Sequence, residues 1–72
     1  MAHAKSMARQ LEEAMDAYDA GTMSKAEYDA LASRLQDQAL RLHDRGVMSD
    51  AAYYRFEDVW ATGVYYTDDN LI

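Results

Sequence analysis

The stretch DAYDAGTMSKAE places Asp16, Gly21 and Glu27 at the first, sixth and twelfth positions of the loop with which helix–loop–helix proteins hold calcium. The chemistry goes no further. Calcium takes about six to eight oxygens, yet the third and fifth positions hold Tyr18 and Ala20, which bring no carboxylate. The related stretch that follows begins on Arg41 and ends on Ala52. Nucleophilic catalysis needs a base beside an activated hydroxyl or thiol. The histidines are His3, near the start, and His43, on a polar flank with no evident partner, and cysteine is absent. The carboxylate pairs Glu12/Glu13 and Asp68/Asp69 are adjacent, and adjacent helical residues do not face one another. No glycine-rich phosphate loop is present. The expectation is a non-enzymatic chain with no metal and no cofactor.

The aromatic residues carry more information. Tyr53, Tyr54, Phe56, Trp60, Tyr65 and Tyr66 fall within fourteen positions, too many for one helix face to bury. Tyr53, Phe56 and Trp60 suit a core. Tyr54, Trp60, Tyr65 and Tyr66, accompanied by Asp58, Asp68 and Asp69, form the expected partner-binding patch, because Tyr and Trp dominate interface energetics. Acids beside aromatics suit a protein partner with a basic, arginine-rich surface. Through Gly46 the chain holds six basic and eight acidic residues, and after it one (Arg55) and five, for a net charge of −6. That balance opposes direct nucleic-acid binding and attachment to an anionic membrane, both of which need clustered Lys and Arg. No apolar run has the length of a membrane span, and MAHAKSMARQ lacks the apolar segment of a secretory signal, so a cytoplasmic protein is expected.

These residues must be positioned by helices. Proline is absent, and alternation of strand type appears nowhere. Ala4, Met7, Leu11, Ala14 or Met15, and Tyr18 recur at intervals of three and four, as do Tyr28, Leu31, Ala32, Leu35, Ala39 and Leu42. Ala52, Tyr53, Phe56, Val59 and Trp60 define a shorter, broader face. The pattern predicts one all-α domain with helices at about 4–20, 25–45 and 50–62, each ended by a glycine (Gly21, Gly46, Gly63), and a short tail over 63–72.

The repeated GTMS and GVMS read as one joint used twice. Gly21 and Gly46 end a helix by adopting positive φ, and Ser24 and Ser49 cap the next one. Glu27 completes a capping box, and Met23 with Tyr28, or Met48 with Tyr53, makes a hydrophobic staple. A frayed third copy is expected in GVYYTDDNLI, with Thr67 capping a last turn and Tyr66 packing near Leu71. Seventy-two residues without a disulfide need support from regular helix packing or oligomerisation. An antiparallel hairpin that dimerises into a helical bundle meets the need. Its self-association seam would be Met7, Leu11, Tyr18, Tyr28, Leu31, Leu35 and Leu42, with Gln38 as a polar register mark.

The segment LEEAMDAYDAGTMSKAEYDALASRL, through Leu11, Gly21, Met23, Ser24, Glu27, Tyr28 and Leu35, resembles the SHOCT domain, a short helical module of bacterial and phage proteins. The likeness spans residues 11–35, and residues 41–56 repeat it imperfectly, with Ala52 in place of the acid. A lysine usual early in the family's second helix is missing, since Leu31 and Ala32 stand there. The resemblance implies a non-catalytic interaction or oligomerisation module. The leading expectation is thus a homodimeric adaptor or stoichiometric inhibitor of a host protein, of the phage or mobile-element type by analogy. The alternatives are an acidic DNA mimic, whose field would be diluted by the Lys and Arg dispersed through the first two helices, and a structural self-assembly subunit.

Overall fold

The computed structural model describes residues 6–67, which form three helices: α1 (Met7–Asp19), α2 (Lys25–Asp44) and α3 (Asp50–Thr67). No strand occurs among the described residues. Ser6 opens α1 by accepting a hydrogen bond from the Arg9 amide at 3.1 Å, so the helix starts at Met7, less than one turn later than the expected start at about residue 4. Ala4 itself lies outside the described residues.

Both joints close by the same local chemistry. Gly21 has φ 81° and Gly46 φ 74°, the left-handed region that only glycine enters freely. The Gly21 amide donates to the Tyr18 carbonyl at 3.1 Å and the Thr22 amide to that of Ala17 at 2.9 Å. At the second joint Gly46 donates to His43 at 3.0 Å and Val47 to Leu42 at 2.9 Å. Each is a Schellman closure that satisfies carbonyls the helix end leaves open. Ser24 then accepts from the Glu27 amide at 3.1 Å, while Glu27 Oε1 accepts from the Ser24 amide at 3.0 Å, a complete capping box. These two hydrogen bonds, the backbone one first, hold the Glu27 carboxyl below its ordinary range. Ser49 accepts from the Ala52 amide at 3.2 Å, and Ala52 has no carboxylate to reciprocate. Met23, Met48 and Tyr53 are half-buried against the core to which Tyr28 belongs.

The third glycine behaves otherwise. Helix α3 does not end at Gly63 but continues to Thr67, which corrects the expected stop and the non-helical reading of residues 63–67. Gly63 is buried and keeps ordinary helical φ; what it supplies is the absence of a side chain. A Cβ there would overlap the phenol oxygen of Tyr28. Thr67 belongs to α3 itself. Its hydroxyl donates back to the Gly63 carbonyl at 2.8 Å inside the core. The expected contact with Leu71 lies outside the described residues.

Each helix packs against both others. Leu11, Ala14, Tyr28, Leu35, Ala39 and Phe56 form the centre, with Met7 and Ala32 at its edges. The residues expected at a dimer seam are therefore placed within one chain. Met7, Leu11, Tyr28 and Leu35 are buried, and Tyr18, Leu31 and Leu42 are half-buried against the same cluster. Gln38 is exposed.

Candidate interaction surface

Eighteen residues of α3 carry six aromatics, and the helix sorts them by angle. A residue turns the chain by roughly 100° about the helix axis, so residues spaced by four, seven or eleven return to nearly the same side. The inward line is Phe56, Gly63 and Thr67, all buried, with Tyr53, Val59 and Trp60 half-buried at its margins. Diametrically opposite lie Tyr54, Asp58, Ala61 and Tyr65, all exposed. Tyr54 is 62% and Tyr65 72% accessible, so both are largely in water, although one side of the Tyr54 ring meets that of Tyr53 at 6.2 Å between centroids.

The remaining two aromatics of the expected patch are drawn to opposite flanks. Trp60 turns toward α2, where it lines an open groove of about 330 Å³ together with Lys25, Tyr28, Asp29, Val64 and Thr67. Lys25 pairs with Asp29 at 3.3 Å on the rim of that groove. Tyr66 turns toward α1, and its hydroxyl donates to the Asp19 carboxylate. Asp19 ends α1, where the helix carbonyls repel a negative charge and no basic side chain occupies the last turn. The Tyr66 hydroxyl offsets that cost. In return the bond, with smaller contributions from desolvation and from the charges of Asp19 and Asp16, raises the pKa of the phenol above its usual value.

Of the expected patch, then, the structure gathers Tyr54, Asp58 and Tyr65 on one outward line and separates Trp60 and Tyr66 from it. Asp68 and Asp69 lie outside the described residues. Arg55, the cation of α3, points to Glu12 of α1 at 3.8 Å and leaves the outward line without a positive charge.

Two arrangements were not foreseen. His43 Nε2 lies 2.6 Å from Asp50 Oδ1, and the imidazole stacks on Tyr53 with centroids 4.3 Å apart and an interplanar angle of 13°. Together they clamp the last turn of α2 to the first turn of α3. The partners are seven and ten residues away across the joint, a spacing that reflects the turn and no helical period. The second is the Tyr28 phenol, which is buried over Gly63 and has no hydrogen-bond partner among the described residues. Burial, and secondarily the charge of Asp29, raises its pKa.

The residues of the calcium-like stretch are accounted for by local structure: Gly21 closes α1 and Glu27 is held in the capping box. Among the described residues no three His, Cys, Asp or Glu side chains gather as metal ligands. Within the same limits, no helix is long and apolar enough to cross a membrane. No family model matches the sequence, and comparison with curated proteins and with solved structures gives no match either.

Proposed function

We propose that this chain is a non-catalytic protein-interaction module, an adaptor or stoichiometric inhibitor of a host protein, that docks its partner on the outward face of α3. The observation that carries the reading is the exposure of Tyr54 and Tyr65 on one line of a helix whose opposite side already completes the core. Large aromatics left in water, aligned and flanked by acids, are the composition of an interface hot spot. The surfaces of α1 and α2 are chemically different. There Arg9 pairs with Glu13, Lys25 with Asp29 and Arg41 with Asp37, each one helical turn apart. Such pairing neutralises carboxylates that a DNA mimic would have to display, and so weighs against mimicry.

The test is capture from a bacterial lysate by the tagged chain, with mass spectrometry of what is retained. Tyr54→Ala combined with Tyr65→Ala, or Asp58→Lys alone, should weaken capture at least about tenfold, equivalent to about 1.4 kcal/mol, if one hot spot lies there. Helicity should be unchanged, because all three side chains are exposed. Undiminished capture by both variants, with loss on substitution of the outer faces of α1 and α2, would move the site off α3. A salt-sensitive catch of nucleic-acid-binding proteins would point to mimicry, and self-capture alone to an assembly subunit.

A further inference from the structure

If α3 docks the partner, its outward line also states what the partner presents. Tyr54, Asp58, Ala61 and Tyr65 follow at intervals of four, three and four, the spacing with which one helix offers knobs to another. Helix α3 thus has two packing lines, and the one through Phe56, Gly63 and Thr67 is covered while this one is open. Tyr54 and Tyr65 stand about 16 Å apart along the axis, three turns, with the small Ala61 between them to admit a close neighbour. A strand or a coil has no period that would meet all four. The matching occupant is a helix.

Its charge follows from Asp58. The carboxylates of Glu57 and Asp58 enter no ion pair among the described residues, and Arg55 is directed away to Glu12 at 3.8 Å. A helix laid on this line takes Asp58 out of water, which is costly unless a cation meets it. A second copy of this chain would bring another Asp58 and a further net charge of −6, so like charges would face one another across the seam. The occupant is cationic. Between the two basic side chains, arginine fits this surface better: its planar guanidinium gives two parallel hydrogen bonds to one carboxylate and also lies flat on a tyrosine ring. We infer that the outward line of α3 is a seam for an arginine-bearing amphipathic helix of the partner, with a guanidinium set on Asp58 against the ring of Tyr54. This rests on the docking face proposed above.

The probe is a synthetic Ala/Leu helix of about five turns with arginines at the four-three-four interval. It is titrated by fluorescence anisotropy at about 0.15 M salt, where unspecific attraction is screened. Its all-lysine counterpart and a scrambled peptide of the same arginine content serve as comparisons. The arginine helix should bind at least about tenfold more tightly than either. Asp58→Asn, and Tyr54→Ala with Tyr65→Ala, should each remove that advantage. Asp37→Asn, which changes the net charge equally at an exposed acid of α2, should leave it intact. Three peptides binding alike, or Asp37→Asn acting as strongly as Asp58→Asn, would reduce the effect to diffuse charge and overturn the inference. So would a dimer in sedimentation velocity that the tyrosine variants dissociate, since the occupant would then be a second copy. If the variants lose the native partner while the peptides are bound alike, the docking face stands and the arginine helix fails. If the native partner is retained by all variants, both fail.

Discussion

Replacing Gly63 by alanine tests how α3 is seated on the core. In a helix interior this exchange ordinarily stabilises by about 0.5–1 kcal/mol, because alanine has less freedom to lose. At Gly63 the sign should reverse. The new Cβ would overlap Tyr28 Oη and stand 3.1 Å from Tyr28 Cζ and 3.5 Å from Met15 Sδ. Tyr28 is 2% exposed and anchored in the first turn of α2, so its ring cannot leave without opening the core. Overpacking of this kind costs about 1–3 kcal/mol, which leaves the variant less stable by up to about 2.5 kcal/mol, with a central value near about 1 kcal/mol, after the helix gain is subtracted.

The phenol oxygen offers the matching perturbation. It is buried without a hydrogen-bond partner among the described residues, an arrangement that costs about 1–3 kcal/mol. Tyr28→Phe should therefore stabilise, by on the order of 1 kcal/mol, against the usual outcome of trimming a core residue. In the double variant the closest approach becomes the ring carbon at 3.1 Å, which a shift of tenths of an ångström relieves, so most of the loss should be recovered. A coupling of about 1–2 kcal/mol is expected from the full cycle. Urea denaturation followed by far-ultraviolet circular dichroism and by Trp60 fluorescence measures all four chains. For a domain of this size about 1 kcal/mol displaces the melting temperature by about 4–8 °C. A Gly63→Ala chain at least as stable as the parent, or strict additivity of the two changes, would refute the reasoning.

Three further outcomes are expected. Ser24→Ala should cost about 1 kcal/mol in thermal or urea unfolding, and Ser49→Ala less, because the second cap lacks the reciprocal carboxylate. Leu11→Ala or Leu35→Ala should cost about 2–5 kcal/mol, and the loss in melting temperature should be the same at low and high protein concentration if these residues serve one chain's core, whereas a concentration-dependent loss would place them on a seam. Because the phenols of Tyr66 and Tyr28 are shifted upward in the folded state, their contribution is fully present below the ordinary tyrosine range near 10 and is lost as pH rises through the folded values; Tyr66→Phe should flatten the alkaline limb of a stability profile.

The joints were legible because their chemistry is local. Gly21, Ser24 and Glu27 act on amides and carbonyls within a few positions, and a window of a dozen residues contains every partner. The end of α3 was not legible by the same rule, since glycine has two uses. At Gly21 and Gly46 it supplies positive φ; at Gly63 it supplies room for Tyr28, a residue 35 positions away. The distinguishing mark was nevertheless present. Three residues after Gly21 and Gly46 stands a serine, whereas three after Gly63 stands Tyr66, which caps nothing. The pairing of His43 with Asp50 has no such mark, because it depends on how the Gly46 turn redirects the chain.

The interaction surface depends on that same glycine. The aromatic cluster was evident from composition, but its division into inward, flanking and outward residues required the helix to continue past Gly63. Eleven residues separate Tyr54 from Tyr65, which is within about 20° of three full turns, so the two rings align only while every intervening residue stays helical. Had α3 ended at Gly63, Tyr65 would have no fixed angle and Asp58 would stand beside one tyrosine alone. Room for the Tyr28 phenol and the outward line are thus two consequences of one unbroken helix. It follows that Gly63→Ala, which touches no exposed side chain, should weaken partner capture whenever it frays the last turn. Tyr28→Phe in the same chain should restore both the turn and the binding. A Gly63→Ala chain that loses helicity in its last turn yet keeps full capture would show that Tyr65 contributes nothing from its place on the line.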